Sequence, residues 1–142
     1  MIETKSPQDR MFAGEKEAMS KNFVQFETKE ENLYYEGVQD IDPRELSQKK
    51  DQVVLIDVRQ PEEYQGDLGH IPGSKLIALD TLPEHLKEIP QDRTVVFVCR
   101  SGGRSARAAA FVMEQGFQHV YNLKGGMILW NELHLQTEAE EE

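Results

Sequence analysis

Cysteine is nearly missing from this sequence: Cys99 is the only one in 142 residues. That excludes an internal disulfide and leaves one free thiol. A reactive free thiol suits a reducing compartment, so the cytoplasm is the expected location. Histidine occurs four times, as His70, His85, His119 and His134. No two of these stand at a metal-ligand spacing with each other or with Cys99, so the expected metal is none, and no organic cofactor is called for. No apolar run approaches the length of a membrane span, and the first residues lack the apolar core of a signal peptide, so no membrane partner is expected. Basic residues are in deficit, with 16 Lys and Arg against 26 Asp and Glu, for a net charge of −10. Such a balance argues against nucleic acid as a partner. No segment repeats.

What is present is concentrated around Cys99. Residues 94–98, Thr-Val-Val-Phe-Val, form an apolar, β-branched run expected of a strand buried on both faces of a parallel sheet. Residues 104–115 follow a helical spacing through Ala108, Phe111, Val112 and Gln115, and Gly116 stands where a left-handed helix stop belongs. Cys99 therefore falls at the carboxyl end of a strand, where open α/β sheets bind ligands. Arg100, Ser101, Gly102 and Gly103 connect it to the helix. Two glycines there are expected to let successive N–H groups converge on one spot, joined by the unpaired amides of the helix start. With Arg100, Arg104 and Arg107 nearby and no acid between them in sequence, the loop reads as a cup for an anion with a nucleophile at its base. A thiol ionised in such a cup gains thiolate fraction but loses intrinsic nucleophilicity, so the loop serves chiefly to hold anionic sulfur or an oxyanion. A lone cysteine is often just a small buried hydrophobe. Neither a Gly-Gly turn nor flanking arginines are needed for that role.

The run Cys99-Arg100-Ser101-Gly102-Gly103-Arg104-Ser105 resembles the active-site loop of rhodanese-like sulfurtransferases. Three further stretches resemble the same family. They are residues 55–59 (Leu-Ile-Asp-Val-Arg) with Pro61, Glu63 and Tyr64; residues 69–73 (Gly-His-Ile-Pro-Gly); and residues 122–127 (Asn-Leu-Lys-Gly-Gly-Met) with Trp130. The resemblance implies an α/β, rhodanese-like three-layer domain with a five-stranded parallel sheet and helices on both faces. It implies a cysteine that carries sulfur as a persulfide, with a small sulfur donor such as thiosulfate and an external thiol, protein or cyanide acceptor. Cys99 is then the catalytic residue, and Arg100, Ser101, Gly102, Gly103, Arg104 and Ser105 bind the substrate. Related phosphatases have five residues between cysteine and arginine, whereas this chain has four, a smaller cup suited to sulfur. A phosphatase or arsenate reductase is thereby disfavoured, and a non-catalytic binding module is disfavoured by the intact cysteine and arginines. Ser74 stands where the family usually has alanine.

Asp57 and Arg59 are possible borders of the pocket, and Trp130 is expected in the core with one edge bordering the pocket mouth. For Arg59 the competing expectation is a pair with Glu62 or Glu63 that pins the following turn. His70 is expected to stabilise its turn, because a thiolate already formed needs no base.

Along the chain, residues 1–37 read as an N-terminal arm that is partly ordered or covers a sheet edge. A helix is expected at 15–21 and a strand at 23–27, and a chain starting at Glu36 is expected to keep its fold. The domain proper spans 38–135. Its expected strands are 38–41, 53–58, 75–79, 94–98 and 120–123. Its helices are 44–50 behind an Asp42-Pro43 cap, a turn at 61–63, 82–89 around Pro83, 104–115, and one from Gly125-Gly126 to Leu135. Residues 136–142 read as a solvated acidic tail.

Overall fold

A computed structural model describes residues 23–139, so the helix expected at 15–21 lies outside the described residues. Six strands form one sheet: β1 (Glu30–Glu31), β2 (Gln39–Ile41), β3 (Val54–Asp57), β4 (Lys75–Leu76), β5 (Val95–Val98) and β6 (Val120–Leu123). Their order across the sheet is β1-β2-β6-β5-β3-β4. The five strands β2 to β6 pair in parallel, and β1 adds an antiparallel edge on β2. The sheet is therefore mixed: the expected five parallel strands plus a sixth, short one. The residues expected as a strand at 23–27 make no strand; β1 forms further along instead.

The strands are apolar on both faces because helices cover both. Ile56, Val95, Phe97 and Cys99 join one core cluster with Ala108, Ala109 and Val112 of helix α3 (Gly103–Glu114). Leu55, Val96, Val98 and Leu123 join the other with Leu46 of helix α1 (Pro43–Lys49), and with Met127 and Trp130 of helix α4 (Gly126–Glu132). This alternation along β5 puts Cys99 on the side of α3. Helix α2 (Pro61–Tyr64) is a single turn after β3. Asp42 caps α1 as expected, its carboxylate accepting the Arg44 N–H at 2.8 Å.

Several boundaries differ from the sequence reading. The third strand stops at Leu76, and residues Leu79–Glu88 form a 3₁₀ helix that contains Pro83. Proline supplies no N–H to an α-helical ladder, and the tighter form accommodates it. Helix α4 ends at Glu132, with His134 in a left-handed conformation two residues later (φ 58°).

The segment before β2 is built into the molecule. Phe26 is 1% exposed and meets the Tyr121 ring edge-on at 5.0 Å. The Val24 N–H donates to the buried Thr94 hydroxyl at 2.7 Å. Glu45 of α1 accepts the N–H groups of Glu27 and Thr28. At the other end, the tail expected from residue 136 is tied down in its first residues. The Trp130 indole N–H donates to the Gln136 carbonyl at 2.8 Å, and Glu138 exchanges two backbone hydrogen bonds with His70.

Candidate active site

The Cys99 loop is shaped by two helix starts. Gly102 caps α3 with φ at 107°, in the left-handed region that disfavours side chains, and its N–H points back at Cys99 Sγ from 3.0 Å. Gly103 does not share that strain; it is the first residue of α3, and a Cβ there would meet nothing within 4 Å. The expectation of two curling glycines therefore holds for Gly102 alone. Helix α4 supports the loop from beneath. The N–H groups of Met127 and Ile128 donate to the carbonyls of Cys99 and Arg100 at 2.8 and 3.0 Å. A Cβ on Gly126 would sit 2.5 Å from those same backbone atoms, so only glycine permits this approach.

Cys99 is 1% exposed. Its sulfur also lies 3.2 Å from the Ser105 hydroxyl, which contacts Asn122 Oδ1 as well. Asn122 Nδ2 is committed to two acceptors, Asp40 Oδ1 at 2.9 Å and the Gly102 carbonyl at 3.2 Å. That fixes the amide with its oxygen toward Ser105. The Ser105 hydroxyl has one proton shared between two acceptors, the Asn122 oxygen at the shorter distance and the sulfur at 3.2 Å. A chain Asp40–Asn122–Ser105 thus ends on the sulfur. Neither Asp40 nor Asn122 is among the expected site residues. The available signal is an asparagine in an otherwise apolar strand, Val-Tyr-Asn-Leu, near the carboxyl ends of the strands where the site lies. Replacing Ser105 by Ala removes one of the two donors to Sγ. It should slow loading of the cysteine about tenfold, the effect of losing roughly 1.4 kcal/mol. Single-turnover rates with thiosulfate measure this; a rate within twofold of the parent would mean that the Gly102 N–H suffices.

The arginines divide. Arg104 is not free to meet an anion: its two terminal nitrogens grip both oxygens of Glu63 at 2.8 Å each. The acid that no local reading placed among the arginines comes from α2. This fork raises the Arg104 pKa, chiefly through the hydrogen bonds to Glu63, with burial opposing and the Cys99 charge contributing. In return the hydrogen bond from Arg104, opposed by burial and aided by the Gln60 N–H, holds the Glu63 carboxyl down at about 2. A depressed carboxylate stabilises the fold above its ordinary value near 4.5, and that contribution is lost as pH falls through about 2. Both side chains keep contact with water, 37% and 27% exposed, so screening leaves about 1 kcal/mol. Glu63→Gln should cost that amount at neutral pH, with the gap to the parent closing between pH 4.5 and 2; urea titrations across this range test it. Arg100 and Arg107 are exposed and have no ion pair among the described residues.

Asp57 and Arg59 are fully buried against each other, Nε to Oδ1 at 2.9 Å and a terminal nitrogen to Oδ2 at 2.8 Å. Arg59 spends its remaining donors on the carbonyls of Glu63 and Gly69. Its partner is thus Asp57, not a glutamate side chain, and it pins the segment carrying Glu63. Neither residue lines either cavity beside the loop, so neither borders the pocket. Trp130 is wholly in the core, without an edge at the mouth. His70 stacks on Tyr64 at 3.7 Å and places Nδ1 2.8 Å from the Tyr64 carbonyl, away from the loop cavities. No cluster of three or more potential metal ligands occurs among the described residues.

Two cavities flank α3. One, about 560 Å³, lies between Ser101–Gly103 and the turn around Tyr34; the other, about 550 Å³, lies between α3 and Leu79–Pro83. Arg104 and Arg107 line both.

The sequence profile of the rhodanese-like domain family matches residues 42–133. A sulfurtransferase of Allochromatium vinosum is 43% identical over 96 residues, 66% of this chain and 88% of that protein. The thiosulfate sulfurtransferase GlpE of Pseudoalteromonas translucida is 40% identical over 86 residues, 61% of this chain and 79% of that one. Among solved structures, a rhodanese-related protein of Thermoplasma volcanium superposes with a TM-score of 0.66 at 28% identity, over 71% of this chain and 98% of that chain. A rhodanese-like domain protein of Staphylococcus aureus gives 0.61 at 32%, over 70% and 98%.

Proposed function

This chain belongs to the rhodanese-like family, and from that premise we propose that it moves sulfane sulfur from thiosulfate through a persulfide on Cys99 to an external acceptor. It is a sulfurtransferase-type member, in line with the relatives of that name. No described helix is long and apolar enough to cross a membrane.

The observation that carries the mechanism is the surrounding of Sγ. One backbone N–H and one hydroxyl already converge on the sulfur, and the strand, α3 and α4 hold the loop around it. The thiolate attacks the outer sulfur of thiosulfate; the S–S bond of the donor breaks and its electron pair leaves with sulfite. The new Cys99 S–S bond leaves the transferred sulfur in the loop where the Gly102 N–H and the Ser105 hydroxyl meet Sγ, donors that favour its negative charge. Arg104 contributes through position, since Glu63 occupies its fork. With no second cysteine in the chain, an acceptor from outside must discharge the persulfide.

Intact mass tests this reading. The protein should become one sulfur atom heavier with thiosulfate, stay so after the donor is removed, and return to its original mass in one step with cyanide. No added mass, together with hydrolysis of an aryl phosphate, would replace the sulfurtransferase reading with a phosphatase.

A further inference from the structure

The family match begins at residue 42, yet the cavity on the Ser101–Gly103 side of the catalytic loop is closed by residues from before it. Resting on the sulfurtransferase reading, we propose that the turn Asn32–Tyr35 is the binding subsite for the acceptor, a small organic thiol carrying a carboxylate.

The turn is anchored. Asn32 Oδ1 accepts the N–H groups of Tyr34 and Tyr35 at 2.8 and 2.9 Å, and its Nδ2 donates to Asp40 Oδ1 at 3.0 Å. The same Asp40 oxygen receives Asn122 Nδ2, so the turn and the hydrogen-bond chain to Cys99 share one carboxylate. Held in this way, Leu33 and Tyr34 remain 88% and 86% exposed, the large hydrophobic side chains that the described fold leaves in water. Anchoring apolar side chains outward beside a reactive loop marks a surface that is covered during the reaction.

Size and charge define the occupant. A cavity of about 560 Å³ far exceeds what thiosulfate or cyanide fills, and it falls within the range of sites for organic ligands. A concave site of this size favours a small molecule over a protein, which would need on the order of 800 Å² of its surface covered. Arg107 lines the cavity with no ion pair among the described residues, whereas Arg104 is bound by Glu63 and Lys124 by Glu30. The unspent cation suits a carboxylate, and Leu33 and Tyr34 suit the organic body. The acceptor thiolate attacks the outer sulfur of the Cys99 persulfide. The enzyme's S–S bond breaks, its electron pair returns to Sγ, and the acceptor leaves as an organic persulfide whose outer sulfur takes the proton given up by the acceptor thiol.

The test uses the full chain, thiosulfate as donor, and four acceptors: glutathione, 2-mercaptoethanol, reduced thioredoxin and cyanide. In the double variant Leu33→Ser with Tyr34→Ser, kcat/KM for glutathione relative to cyanide should fall roughly tenfold, through KM. Arg107→Gln should lower the same ratio about fivefold, with a smaller loss for uncharged 2-mercaptoethanol. A ratio within twofold of the parent in both variants overturns the proposal. A loss seen with thioredoxin but not with glutathione overturns it in favour of a protein acceptor. Failure of the parent to transfer sulfur even to cyanide defeats the sulfurtransferase reading itself, a result distinct from either.

Discussion

Cys99→Ser should abolish sulfur transfer, by more than about 10⁴-fold, the scale on which removal of a nucleophile acts, while leaving the fold in place. The two halves of this expectation have separate grounds. The site is buried and tightly bounded, and serine is nearly isosteric with cysteine. Its hydroxyl can accept from the Gly102 N–H and meet Ser105 as the sulfur does. The thermal transition should therefore move little. Chemistry fails for a different reason: a serine hydroxyl stays protonated at neutral pH, and among the described residues no side-chain base contacts Sγ to change that. The groups around it are Gly102, Ser105 and, through Ser105, the amide of Asn122. His70 is occupied at its own turn. The serine variant should thus show no added sulfur by intact mass and no thiocyanate production from thiosulfate and cyanide. A serine variant that still becomes one sulfur heavier would move the carrier elsewhere, and retained turnover would end the persulfide mechanism. The comparison with Ser105→Ala sets the scale, since losing a donor to the nucleophile costs about one decade and losing the nucleophile costs at least four.

What the sequence made legible here was local. A β-branched run, a cysteine, a glycine turn and an alanine-rich helix are adjacent in the chain, and their alternation is the physical signature of a parallel α/β layer. The four stretches in order made the family recognisable. What stayed hidden depends on contacts between distant positions. Glu63 and Arg104 are 41 residues apart, and Asp40 and Asn122 are 82 apart. No periodicity links them, so an arginine that reads as available is already paired, and an aspartate that reads as part of a short strand supports the nucleophile. Asp57 and Arg59, two residues apart, carried the opposite error: their position at a strand end suggested a pocket border. Strand alternation instead sends both into the interior, while neighbouring Val58 and Gln60 line the cavity. Trp130 lies in the core as expected but shows no edge at the pocket mouth, because its indole N–H finds its partner, the carbonyl of Gln136, inside.

A chain starting at Glu36 should fail to fold cooperatively, the reverse of the sequence expectation, which rests on every motif and the strand–helix alternation lying beyond residue 35. The argument turns on Phe26. It is among the largest fully buried side chains, set in the cluster of Ile41, Leu46, Tyr121 and Trp130 on one face of the sheet. Its ring takes the edge of Tyr121, and the Lys49 ammonium lies 5.3 Å from its centroid. Deleting such a ring costs about 3–5 kcal/mol, against a total stability for a domain of about 5–15 kcal/mol. The truncation removes more besides. It strips β1 from the edge of β2, takes the Val24 N–H from the Thr94 hydroxyl, and leaves Glu45 without the two N–H groups and the Thr28 hydroxyl it accepts. Those donors, with Lys49, hold the Glu45 carboxyl at about 2 despite burial. Without them the carboxylate keeps its Lys49 contact but loses three hydrogen bonds from one segment. Two measurements separate the core contribution from the rest. Phe26→Ala in the full chain should lower stability to urea by about 3–5 kcal/mol yet retain sulfur transfer in the molecules that remain folded. The truncated chain should lose its cooperative melt altogether. If it instead melts within a few degrees of the parent, the cluster around Phe26 closes over without it, and the domain begins where the sequence alone would place it, near Val38.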